Sequence, residues 1–149
     1  MFRLWAVALL ALAPCISPAT FTIAGDGFVD NRAQVTSITP DAFDLTKSLP
    51  TAFTIAGQQF ADTGFGLPVV NFTRAERLVG QARASSLIGG TTLTVPFPTD
   101  STSLKGPLTG LSTAGAVLVQ VYNETGRGSY LLIGSIALTV TDSRPTQGR

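Results

Sequence analysis

Nine carboxylates, one cysteine and no histidine are what this chain of 149 residues offers to acid–base, nucleophilic or metal chemistry. The missing histidine removes Ser-His-Asp and Cys-His catalysis, imidazole metal sites and histidine pH switching together. Hydrolysis would then need two carboxylates facing one another, one of them with a raised pKa. The candidates are Glu76 and Glu124 and the aspartates Asp26, Asp30, Asp41, Asp44, Asp62, Asp100 and Asp142, and every aspartate falls in or near a turn-forming stretch. Aspartate there closes turns by bonding the backbone two residues on. The residues thus give no catalytic set, and the chain is expected not to be an enzyme.

Metal and cofactor chemistry fare no better. Asp26-Gly27-Phe28-Val29-Asp30 looks like the second half of a calcium loop. Placed on that loop, the first, third and twelfth positions become Thr22, Ala24 and Ala33, so the strong oxygen ligands are missing and a turn is the better reading. No cofactor and no metal are expected. Two glycosylation sequons occur, Asn71-Phe72-Thr73 and Asn123-Glu124-Thr125, as chance allows in a threonine-rich chain. Arg74, Arg77 and Arg83 form a loose basic cluster, a candidate interaction patch for an acidic polysaccharide or a solvated strand edge. Sugar-stacking platforms use exposed Trp or Tyr. Beyond the amino-terminal leader the chain has only Tyr122 and Tyr130, so the residues do not by themselves support carbohydrate binding.

The amino terminus reads as a leader. Met1, Phe2 and Arg3 precede an apolar run of ten (LWAVALLALA, 4–13), Pro14 breaks it, and Ser17-Pro18-Ala19 supplies small residues for cleavage after Ala19. Ten apolar residues are too few for a bilayer span, so no transmembrane segment is expected and the mature protein should be secreted, periplasmic or at the cell surface. Leu12-Ala13-Pro14-Cys15 is a poor lipoprotein box because proline precedes the cysteine, which leaves anchoring at Cys15 a minor alternative. Cleavage after Ala19 leaves no cysteine, hence no disulfide or thiolate site. It also removes Arg3 and balances nine basic against nine acidic residues, which gives no general attraction to nucleic acid.

Almost everywhere the periodicity is two, the mark of half-buried antiparallel strands. Residues 51–57 place Phe53 and Ile55 on one face; 91–97 place Leu93, Val95 and Phe97 inward; 116–122 group Val117, Val119 and Val121; 135–141 group Ile136, Leu138 and Val140. Weaker strands are expected at 35–39, 67–73 and 78–83, with 74–86 read as a strand and a short turn. Gly, Pro, Asp, Asn and Ser clusters separate them, including Gly89-Gly90 and Asn123-Glu124-Thr125-Gly126. Residues 100–115 make a long connection suited to a sandwich crossover. The expected fold is all-β, an immunoglobulin-like sandwich of about seven to eight strands with an extra N-terminal strand or arm. Its divisions are 1–19 leader, 20–34 arm, 35–142 sandwich and 143–149 flexible tail. The expected core and turn residues are Phe53, Ile55, Gly57, Phe60, Val95, Val117, Val119, Val121, Ile136 and Leu138.

Val35-Thr36-Ser37-Ile38-Thr39-Pro40, Ile55-Ala56-Gly57-Gln58-Gln59-Phe60, Leu93-Thr94-Val95-Pro96 and the alternating valines ending at Asn123 together resemble the IPT/TIG family of immunoglobulin-like domains. The chain departs from the family at 44–49, where a Gly-Gly pair is usual. The resemblance implies a non-enzymatic interaction or structural module with a protein or glycan partner at the cell envelope. The alternatives are an accessory carbohydrate-binding or carboxylate-based hydrolytic domain acting on polysaccharide, and a strand-exchanging assembly subunit. Gly57 is expected to turn the strand through a positive φ, with Phe60 folding back over the core.

One further pattern bears on assembly. Residues 21–30, FTIAGDGFVD, repeat 53–62, FTIAGQQFAD, at seven positions. The copy is expected to add an edge strand, with self-association by strand exchange as the sharper option and a relic of a lost tandem module as the third.

Overall fold

The computed structural model describes residues 34–98 and 110–146. The leader, the repeated segment 21–30 and the calcium-loop look-alike lie outside the described residues. Two sheets pack face to face. One has the order β1 (Val35–Thr39), β3 (Ala52–Gly57), β7 (Thr92–Pro96), β6 (Ser86–Ile88); the other has β2 (Ala42–Asp44), β9 (Ser129–Thr141), β8 (Gly115–Gly126), β4 (Val69–Arg74), β5 (Arg77–Arg83). Neighbours are antiparallel except β2, which runs parallel to the end of β9. The first strand thus divides between sheets, with Pro40 at the crossing and a cis Thr39–Pro40 bond. Strand order and sheet membership are those of the immunoglobulin fold, with β5 added at the edge of the larger sheet. No described helix is long and apolar enough to cross a membrane.

Alternation builds the core. Phe53, Ile55, Leu93 and Val95 from the smaller sheet meet Val70, Phe72, Val117, Val119, Val121, Leu138 and Val140 from the larger, all buried in one cluster. Ile136 is half-buried against it. Phenylalanines fill the centre: Phe53 sits 5.6 Å from Phe72 and 5.7 Å from Phe97 between ring centroids, and Phe43 meets Phe97 edge-on at 5.5 Å. With no cysteine or tryptophan among the described residues, these rings fill the middle of the core. Each such burial contributes about 1.5–3 kcal/mol relative to exposure.

Local expectations change at Gly57 and at residues 123–126. Gly57 is not left-handed; the positive φ of that turn belongs to Gln59 (64°). Glycine is required at 57 by space, because a Cβ there would land on the Gln34 carbonyl oxygen and 2.6 Å from Phe60 Cζ. Residues 123–126 are not a turn but the end of β8, and the chain reverses at Arg127-Gly128 (Gly128 φ 79°). Asn123 and Glu124 are polar yet buried because their side chains are bonded. The β4–β5 hairpin turns on Ala75 (φ 47°) and Glu76 (φ 64°), a left-handed pair without glycine, between paired Arg74 and Arg77. At the carboxyl end Ser143 is bonded through its backbone N–H and hydroxyl to Asp44, so ordered contacts continue past 142.

Candidate functional site

The outer face of the larger sheet gathers the chain's polar and aromatic residues into rows. Register places Gln81 beside Asn71, Asn71 beside Gln120 and Gln120 beside Ser135, a row of uncharged hydrogen-bonding side chains across four strands. The adjoining row is Arg83, Val69, Tyr122 and Leu132, and Tyr130 lies opposite Glu124 one step further along. On the other side of the amide row, Thr73 adjoins Leu118 and Leu118 adjoins Ala137.

Two shallow depressions meet at this amide row. One, about 300 Å³, is lined by Val69, Asn71, Gln81, Tyr122 and Tyr130. The other, about 510 Å³, runs from Gln120 and Leu118 to the hairpin tip at Ala75 and Glu76. Val69 is buried although it is not part of the inter-sheet core, so it forms a floor on the outer face. Gln81 Nε2 donates to Asn71 Oδ1 at 2.6 Å, which fixes both amides. Tyr130 is 49% exposed, with Leu118, Leu131 and Leu132 also open to solvent.

The end of this face is braced. Arg83 bonds Glu124 Oε2 and the Leu67 carbonyl, each at 2.8 Å. Asn123 Nδ2 donates to the Gln59 carbonyl at 2.8 Å, its Oδ1 accepts from Ala61 N–H at 3.1 Å, and Thr63 donates to the Glu124 carbonyl. These bonds pin the loop between β3 and β4 to β8.

Of the three arginines expected as one patch, Arg74 and Arg77 stand opposite one another at the β4–β5 hairpin and Arg83 lies apart from them. Arg74 is turned onto Thr113 and the Ala114 carbonyl, Arg83 onto Glu124 and Leu67, and Arg77 and Arg83 stand at opposite ends of β5. Arg74 and Arg83 are thus turned onto the protein itself, and Arg77 is exposed beside the hairpin. The second sequon is closed by burial of the Asn123 amide, whereas Asn71 lies on the outer face already bonded to Gln81. The tyrosines separated along the sequence are brought into one depression with amides that the sequence reading left unassigned. Their outward positions in β4, β5 and β8 follow from alternation, but only the cross-strand register makes them neighbours.

Carboxylates do not converge on either depression; the larger has Glu76 alone and the smaller has none. Asp44 and Asp142 instead organise the carboxyl end. The Ser143 hydroxyl and the Thr46 N–H hold the Asp44 carboxyl far below the usual carboxylate range, and the hydrogen-bonded Arg144 guanidinium lowers that of Asp142. Among the described residues no group of three or more His, Cys, Asp or Glu is placed to hold a metal ion.

No protein-family model matches the chain, and no curated protein matches it. Among solved structures it is similar to the crystal structure of CopC from Methylosinus trichosporium OB3b, at 13% identity and a TM-score of 0.46, over 76% of this chain and 97% of that one.

Proposed function

We propose that the chain is an exported, non-enzymatic immunoglobulin-like module of the IPT/TIG kind that binds a partner at the cell envelope through the outer face of its larger sheet. The carrying observation is the convergence of Tyr122, Tyr130, Asn71 and Gln81 on one braced depression over Val69. Export is read from the leader pattern at 1–19. The family reading draws support from where its motifs fall. Val35 and Ile38 are buried in β1 before the crossing at Pro40, Phe60 folds onto Gly57, and Leu93-Thr94-Val95-Pro96 lies in β7.

The test is cosedimentation of the purified mature protein with envelopes of the cells that make it. Parent protein should pellet with them and release no soluble fragments. Leu118→Arg, on the exposed outer face, should leave folding intact and abolish pelleting. Equal pelleting of parent and variant would move the binding face elsewhere, and steady release of fragments would make the chain an enzyme.

A further inference from the structure

We propose that the ligand of this face is a neutral saccharide chain, stacked on Tyr122 and Tyr130 and hydrogen-bonded by Gln81, Asn71 and Gln120. The inference rests on the outer-face reading above and adds the chemistry of what is bound. Sugar rings present two surfaces, an apolar face of C–H groups and an edge of hydroxyls that both donate and accept. Tyrosine meets the first with a flat ring and a polar tip. Asn and Gln meet the second because each carries a carbonyl acceptor and an NH₂ donor. The Gln81–Asn71 bond spends one group from each amide, leaving Gln81 Oε1 and Asn71 Nδ2 beside the tyrosines, with Gln120 next in the row.

Charge decides against the alternatives. The smaller depression has no ionisable carboxylate or base, and the adjacent Arg83 and Glu124 neutralise one another at 2.8 Å. An anionic polymer or an acidic peptide would find no free cation there. A peptide strand adding to the sheet would need an open edge, and this depression lies on the face, with its bonding groups on side chains. From Leu118 to Glu124 along β8 is about 20 Å at ~3.3 Å per residue, room for several sugar units in line.

The experiment is affinity electrophoresis in native gels containing hydroxyethylcellulose, laminarin, galactomannan, or the neutral polysaccharide fraction released from the same envelopes, with alginate as the charged control. At least one neutral polymer should retard the parent, with retardation unchanged in 0.5 M salt. Tyr130→Ala should weaken binding about tenfold or more, the factor given by about 1.4 kcal/mol. Gln120→Ala should weaken it, and Tyr122→Phe should retain most of it by keeping the ring. Unfolding curves of the variants exclude loss of fold, and Tyr130 is half exposed, so its removal leaves the core intact. Retardation by alginate alone, by no polymer, or equally for parent and Tyr130→Ala would overturn the proposal. Cosedimentation that disappears when the envelopes are first treated with protease would also overturn it, making the partner a protein. In either failure, loss of cosedimentation in Leu118→Arg would leave the outer-face reading standing.

Discussion

Gly57 and Phe60 act as one unit at the end of β3. The Phe60 ring lies where a side chain at 57 would sit, and the Gln34 carbonyl accepts from Gln58 N–H at 2.7 Å across the same spot. Gly57→Ala therefore forces backbone apart and should cost about 1–3 kcal/mol as overpacking. Phe60→Ala opens a cavity and should cost about 3–5 kcal/mol. Urea denaturation of both variants checks this, and a neutral Gly57→Ala would remove the steric account of that glycine. Arg83 is a second residue whose role is local. Replacing it with Met keeps the stem but strands Glu124, whose side chain is 11% exposed. Arg83 itself is open enough for solvent to soften the loss, so about 1–2 kcal/mol is expected. In Arg83→Met/Glu124→Gln the second change should recover part of that loss, and a purely additive double variant would show that the pair is not coupled.

At the scale of elements, the β2–β9 pairing is closed by Asp44. Its carboxylate accepts from Thr46 N–H at 2.9 Å and from Ser143, tying the first crossing between sheets to the last strand. Because the folded-state pKa is depressed, this contribution is present above the ordinary carboxylate pKa of about 4 and lost as pH falls below it. Asp44→Asn should lower Tm near neutral pH, and the gap to the parent should narrow below pH about 4. A gap that widens on acidification would contradict the assignment. Long strands were legible in the sequence because alternation over five or more residues carries its own signal, as in β3, β7 and the centre of β8. The short β2 and β6, each of three residues, carry none, and their pairing comes from the strands beside them. Residues 123–126 read as a turn because Asn123 and Gly126 are turn-forming types; buried side-chain bonds of Asn123 and Glu124 to Gln59, Ala61 and Arg83 hold the segment in a strand instead. The tyrosine–amide face was invisible for a different reason. Its members come from β4, β5, β8 and β9, and register, which depends on bulges such as that between Val121 and Tyr122, decides which of them touch.

For the whole molecule, the two sheets differ in what they show to solvent. The smaller sheet ends in the short edge strand β6, where Ile88 is 66% exposed, while the larger sheet carries the braced depressions and both tyrosines. On the proposed function, binding belongs to the outer face of the larger sheet and not to the smaller sheet. The most direct test compares Tyr130→Arg on the outer face of the larger sheet with Ile88→Arg on the smaller sheet, by cosedimentation of each folded variant with envelopes. Ile88→Arg should pellet as the parent does and Tyr130→Arg should stay in solution. Pelleting of Tyr130→Arg with loss of Ile88→Arg would contradict the assignment.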